Sequence, residues 1–254
     1  MTTRVRQLVF FLGALGLAAL VVSAFVRLPH FGSGFSIDGA QLGALSVPQR
    51  HITDVVTAIN FDYRGVDTMG EEFIFFAAVA AVGLVLRPQP DEVVRAEVDA
   101  ASGRWVPPTS DAVRVLGLAL VGPTILFGLY IVAHGHLTPG GGFQGGVVLA
   151  TGVLLVYLAG EYEHLHGLYP EQAIKVGESV GAAGYVAIGL VGLIWGTAFL
   201  DNIGPLGTIG RLNSAGLVPL IDVAVGVEVA AGFVLLLTAF LRQAIVLRVR
   251  EGEQ

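Results

Sequence analysis

Two apolar runs, Ala112 to Ala133 and Phe143 to Gly160, are separated only by His134-Gly135-His136-Leu137-Thr138-Pro139-Gly140-Gly141-Gly142. Each run is long enough, or nearly so, to cross a bilayer as a helix, which takes about 20 residues. One membrane helix must therefore end, and the next begin, inside this short stretch. Glycine and proline are the strongest breakers of regular structure, and three successive glycines leave the backbone unshielded. A loop needs less glycine than this. Either the small residues serve helix packing, or the backbone closely approaches a neighbouring chain or a permeating ion, because unwound segments at membrane depth survive only inside protein or beside water.

The rest of the chain has the same character. With 54% hydrophobic and only 13% charged residues and a mean hydropathy of +0.75, it reads as an all-α integral membrane protein. Apolar windows at Leu8 to Val26, Phe73 to Leu86, Ala112 to Ala133, Phe143 to Gly160, Val180 to Leu200 and Ala215 to Leu241 predict about six transmembrane helices. The second window is short and needs the Asp67 to Glu72 segment to complete its crossing, which carries acidic groups into the membrane. Arg4 and Arg6 before the first window, with Val22-Ser23-Ala24 inside it, have a signal-peptide pattern. That run is long for a signal core and is read as a retained first span. Without cysteine, disulfides, thiolate metal sites and cysteine nucleophiles are excluded. The net charge of -6 and the lack of a basic cluster argue against nucleic acid as a partner.

The basic residues set the orientation. With a cytoplasmic amino terminus, Arg4, Arg6, Arg87, Arg95, Arg104, Arg114, Lys175, Arg242, Arg248 and Arg250 lie inside, against Arg27, Arg50, Arg64 and Arg211 outside, so both termini are cytoplasmic. Between the first two spans, Leu28 to Thr53 reads as an outer loop, and Ile52 to Phe61 as an interfacial helix. A polar linker follows Arg87 and ends at Thr109-Ser110-Asp111, good cap residues for the third span. Gly122-Pro123 predicts a kink or break in that span. In the fifth, Gly177-xxx-Gly181 and Gly192-xxx-Gly196 are small faces for close helix packing. Pro219 falls in the first turn of the sixth, where it costs little.

Glu228 sits near the centre of the last apolar run, where a carboxylate costs at least roughly 2.5 to 3.5 kcal/mol. Protonation, a water-filled cavity, a bound cation or a partner's arginine would compensate. Asp222 lies about 120° away around the same helix and nearer the outer end, so the two need not share one site. His134-x-His136 and His164-x-His166 suggest a metal, but a helix of about 27 Å separates the pairs, and each supplies only two ligands. The inner pair, with Glu161 and Glu163, reads as a polar collar that collects protons. No nucleophile has an evident base beside it and no phosphate loop follows a strand, so an enzyme is not expected.

The stretch HGHLTPGGGFQGG resembles the signature of the B-type, MnhB-like member of the multisubunit, Mrp-type sodium/proton antiporters of bacteria, a likeness running from about Val113 to Leu241. A second motif, Asn60-Phe61-Asp62-Tyr63-Arg64-Gly65-Val66-Asp67-Thr68-Met69-Gly70-Glu71 followed by an apolar helix, is similar to the carboxy-terminal part of the same antiporter's large A-type component. The resemblance implies an A-like part over residues 1–90, a cytoplasmic linker over 91–111 and a B-like four-helix domain over 112–250. It implies a multi-pass subunit in the bacterial plasma membrane, assembled with other antiporter subunits, including the large antiporter-like ones, and surrounded by lipid. That complex exchanges sodium ions for protons and holds no cofactor. Glu71 is carried over as an ion-translocating carboxylate at the positive end of a membrane helix, with Asp222, Glu228 and Asp67 beside it in that role, although capping is the simpler role for Asp67. An ion pair of Asp62 with Arg64 is expected nearby. The motif positions carried over are His136, Pro139, Gly140, Gly141, Phe143 and Gly146. A purely structural subunit that never touches an ion is the alternative.

Overall fold

The structure is a computed structural model that describes residues 3–28, 37–87, 109–168 and 170–251. It is all-helical, with no strand among the described residues, and six of its helices are long and apolar enough to cross a membrane. Most of the expected 91–111 linker lies outside the described residues.

The chain forms two compact units, residues 1–41 and 42–254. The first contains α1 (Thr3–Val26) and the start of α2 (Ile37–Arg50). The described side chains of α1 are exposed, as befits an apolar helix that faces lipid or another chain. Helix α2 stands where an outer loop is expected. Its Gly39, Gly43 and Pro48 are residues that ordinarily interrupt a helix.

The second unit holds the rest. The Ile52 to Phe61 stretch is not a surface helix: it is a short α3 (Val55–Thr57), capped by Asp54 through Thr57 N, running into a π-helical turn, Ala58–Tyr63. Ile52, Ala58 and Phe61 are buried in the main core with Tyr185, Ile221, Val225 and Val229. Their spacing therefore serves packing inside the protein rather than a membrane surface. Helix α4 (Gly65–Val85) then includes the acidic segment that its short apolar window required.

Helix α5 (Asp111–Ala133) starts at Ser110, whose hydroxyl accepts from Val113 N at 3.4 Å, and runs unbroken through Pro123. The expected break is not present. Helix α6 (Gly142–Leu168) returns against it closely, because Gly117, Gly128 and Gly145 leave no side chain in the seam. Helix α7 (Glu171–Trp195) starts earlier than its apolar window and stops short of Leu200. Residues beyond Gly196 fold back instead, with Leu200 N donating to Gly189 O and Phe199 filling the space above Gly189. Of the two glycine pairs in α7, Gly177 and Gly181 face helix α8 (Val218–Glu251), whereas Gly192 and Gly196 receive the Leu200–Asp201 backbone and side chain.

Helix α8 touches α4, α5, α6 and α7, so it is the hub of the unit. It begins at Val218, after a turn in which Ala215 and Gly216 take positive φ, and Pro219 is in its first turn as expected. Val218, Ile221, Asp222, Val225, Glu228 and Val229 on it are all buried.

Candidate functional site

The glycine-rich turn is packed into the protein and is not a surface hairpin. Gly135, His136, Gly141 and Gly142 are buried. Gly140 and Gly141 have φ of +154° and +118°, a region that L side chains rarely adopt. Asp222 on α8 lies against the turn: its Oδ1 accepts from Gly142 N at 2.9 Å, and a Cβ on Gly135 would stand 2.8 Å from its Oδ2. The carboxylate therefore sits on the positive end of α6, and Oδ2 has no hydrogen-bond partner. The glycines thus serve close packing within the chain, letting the turn backbone meet Asp222 of α8.

A second element holds the turn from the other side. Thr57 Oγ1 donates to Gly135 O at 2.7 Å, Thr53 Oγ1 to Leu137 O at 2.7 Å, and the amides of Thr53 and Asp54 to His136 O at 3.1 and 3.3 Å. Gly141 O accepts from Gly145 N. With His134 O, which accepts from the amides of Leu137 and Thr138, the carbonyls of five turn residues thus already have protein donors. His136 is fully buried and neither ring nitrogen has a well-aligned partner. Burial lowers its affinity for a proton, the facing backbone of Arg211 opposes that, and His134 adds to it. His134 stacks on Tyr130 with its Nδ1 3.0 Å from Tyr130 O.

The other motif positions divide between packing and exposure. Phe143 is partly exposed and stacks edge-on with Phe75 and Phe233. Gly146 is buried, with space for a Cβ only 2.8 Å from that of Val229, whereas Pro139 is exposed.

Glu228 is fully buried and neither carboxylate oxygen has a hydrogen-bond partner. Its electrostatic neighbours are Glu72 on α4 and Glu178 on α7, both buried and each with one oxygen unpartnered. Sequence reading singles out neither in that role. Glu71 points outward and is exposed on this chain, so the buried member of the pair is Glu72. Asp67 is exposed and ion-paired to Arg64. Asp62 pairs with Arg50 at 3.2 Å, not with Arg64, and receives Asn202 Nδ2 at 3.4 Å. Burial raises the Asp62 proton affinity and Arg50 pulls it back.

Two openings flank these acids. At the turn end, a polar pocket of about 550 Å³ is lined by Arg50, Asp62, Tyr63, Asp67, Asp201 and Asn202 among others. At the opposite end, a cavity of about 450 Å³ between α4, α7 and α8 has Arg87, Lys175, Glu178 and Thr238 in its wall. Among the described residues no three His, Asp or Glu side chains are grouped to hold a metal ion. The side chains of Glu161, Glu163, His164 and His166, expected as a collar, lie outside the described ones.

Comparison with known proteins agrees with this architecture. Residues 112–235 match the family described as a domain related to the MnhB subunit of Na+/H+ antiporter. An uncharacterized protein of Methanocaldococcus jannaschii is 29% identical over 203 residues, 71% of this chain and 74% of that protein. A probable K(+)/H(+) antiporter A/B subunit of Rhizobium meliloti is 27% identical over 214 residues, which is 76% of this chain and 21% of that longer protein. Among solved structures, a chain of the membrane-bound sulfane sulfur reductase, an archaeal respiratory membrane complex, superposes with a TM-score of 0.66 at 29% identity over 93% of this chain and 98% of that one. A chain of the Mrp complex from Dietzia has the same fold, with a TM-score of 0.65 at 24% identity over 94% of this chain and 26% of that one. The multi-pass helical fold, the buried glycine turn and the match over residues 112–235 lead to one conclusion: residues 112–235 of this membrane chain form a domain related to the MnhB subunit of Na+/H+ antiporter.

Proposed function

We propose that the chain serves as the MnhB-type subunit of a multisubunit sodium/proton antiporter and that it contributes carboxylates to ion translocation. In this reading residues 1–90 are an A-like part, 91–111 a linker and 112–250 the B-like domain. The joint A/B naming of the Rhizobium relative supports such a fusion. The partners are the other small subunits and the large antiporter-like ones, in the plasma membrane of a prokaryote, where sodium leaves in exchange for protons and supports pH homeostasis.

One observation carries the ionic role: the buried Glu228 carboxyl has no hydrogen-bond partner on either oxygen, an arrangement that a purely structural side chain has no reason to keep. Asp222, which meets the turn, and Asp67 at the outer pocket are assigned with it, as is Glu71, whose exposure on this chain suits contact with a neighbouring subunit. The end-to-end match to a respiratory-complex chain favours a second assembly, in which the same subunit couples ion movement to a redox enzyme. Single Asp67→Asn, Glu71→Gln, Asp222→Asn and Glu228→Gln variants, purified as assembled complexes and assayed for sodium-driven proton flux in vesicles, test the ionic role. Loss of flux from intact complexes is expected for Glu228→Gln. Full flux in all four, or disassembly in place of lost flux, would leave the subunit purely structural.

A further inference from the structure

We infer that Glu178, Glu228 and Glu72 form a proton relay between α7, α8 and α4, fed through the 450 Å³ cavity at the end opposite the glycine turn, and that this relay carries protons and not metal cations. It rests on the reading of the chain as an antiporter subunit and extends it to two residues and one direction of access.

The three acids come from three helices yet converge. Gly181 on α7 leaves so little room that a Cβ there would stand 2.6 Å from Glu228 N, so α7 and α8 touch backbone to backbone at this level. Glu178 is three residues from Gly181 and therefore on the same face of α7. From the opposite side α4 packs on both α7 and α8, and Glu72 shares its buried face with Thr68 and Val79.

Depth follows from helix rise. Glu72 is seven residues inside the Gly65 end of α4, about 10 Å, and Glu228 is ten residues inside the Val218 end of α8, about 15 Å. Glu178 is seven residues from the Glu171 start of α7, about 10 Å from the other end. Glu228 is level with Gly181, so Glu178, three residues earlier on α7, lies about 5 Å nearer the Glu171 end and the cavity.

The cavity supplies the entrance. Glu178 is in its wall with Ser179 and Thr238, and its volume has room for on the order of ten waters. Arg87 and Lys175 are on the same wall with Glu171, to which Lys175 is paired at 2.6 Å. A metal cation entering here meets Arg87 and a Lys175 already paired with Glu171, whereas a proton crosses such a rim along water.

The inner acids suit the same cargo. A hard cation wants several oxygen ligands at once. No group of three His, Asp or Glu able to hold a metal exists among the described residues, and neither oxygen of Glu228 has a hydrogen-bond partner. Burying a bare charge there costs far more than burying a neutral carboxyl, so the site accepts a proton and rejects an unligated ion. Each step moves one proton from a carboxyl to the next carboxylate, with the donor left charged until the following proton arrives from the cavity. The ionisable groups facing the relay are Lys175, Glu171 and Arg87 around Glu178, Glu71 beside Glu72, and Tyr185, whose hydroxyl donates to Gly65 O at 2.9 Å.

Dicyclohexylcarbodiimide, which reacts with protonated carboxyls in apolar surroundings, tests this on the assembled complex, with the modified residues mapped by mass spectrometry. Glu228 labelling that responds to pH and is unchanged by saturating sodium chloride is expected. Protection by sodium would make Glu228 a cation site, and absence of label at every pH would remove it from any relay; either result overturns the proposal. As a second arm, Glu178→Gln in assembled complexes should slow proton flux about tenfold or more, with Glu178→Asp recovering most of it. Wild-type flux in Glu178→Gln would also overturn the proposal. Asp222→Asn in the same assay addresses the wider antiporter reading, so the two can fail separately.

Discussion

Asp222 Oδ1 accepts a hydrogen bond from the backbone N of Gly142, 80 residues earlier, at 2.9 Å. Glycine at position 135 is what lets the carboxylate come this near the turn. Removing the acceptor leaves a buried N–H without a partner, which costs about 1–3 kcal/mol. Asp222→Ala should therefore lower thermal stability in detergent clearly, and Asp222→Asn, which keeps an oxygen in place, much less. Equal losses in the two would show that charge rather than the hydrogen bond is what matters.

The glycines themselves make a graded series. A Cβ on residue 142 would overlap the carbonyl oxygen of Asp222 and stand 2.7 Å from Val225 Cβ, so Gly142→Ala forces α6 away from α8. The expected loss is about 3 kcal/mol or failure to assemble, at or beyond the upper end of ordinary overpacking. Gly122→Ala meets nothing within 4 Å and should be neutral or stabilising by up to about 1 kcal/mol. Parallel melting curves would decide it.

Much of the fold is legible in the sequence because membrane spans announce themselves by length and apolarity. All six spans follow from the apolar windows, and the α4 start at Gly65 follows from the shortness of its window. Helix ends are less legible where polar residues continue a helix, as at Glu171, or where apolar residues leave it, as at Phe199 and Leu200, which fold back. The site is half visible. Glu228 and Asp222 stand out as charges in an apolar run, but Glu72 and Glu178 lie near helix ends, where acids are ordinarily wet. A signal for Glu178 does exist: residues 178, 181, 182, 185, 189 and 192 recur at helical spacing, and all are buried. Adjacency in sequence favours an ion pair of Asp62 with Arg64, whereas the π turn aims Asp62 at Arg50.

That exchange of partners has a measurable consequence. The Asp62 side chain is 2% exposed in its pair with Arg50, while Arg64 and Asp67 are 66% and 56% exposed. Arg50→Ala strands a buried carboxylate and should cost about 1–3 kcal/mol. Arg64→Ala should cost under about 1 kcal/mol and depend on salt. Chemical denaturation at low and high ionic strength would separate them.

His136 makes stability depend on pH. Its folded-state proton affinity lies below that of the free side chain, so the unfolded chain takes up the proton first as pH falls. Stability from this residue is complete above the ordinary histidine value of about 6.5 and is lost below it, down to the lowered folded value. His136→Asn should flatten the wild-type decline in melting temperature below that point. An unchanged slope would mean that the buried ring is not responsible.

The Thr57 hydroxyl makes one of the two shortest links between the turn and the preceding part of the chain, at 2.7 Å to Gly135 O. Thr57→Val keeps the shape and loses that bond, for an expected cost of about 1 kcal/mol. Thr57→Ser should lie between Val and wild type in the same melting assay.

The stretch that matches the antiporter domain begins at residue 112, yet Thr53, Asp54 and Thr57 supply four hydrogen bonds to its turn from outside that stretch. The border drawn by similarity is therefore not a mechanical border. A fragment cut there would expose the acceptors of Gly135, His136 and Leu137, and whatever replaces the missing segment in a split version of this protein must bring its own donors to the same three carbonyls.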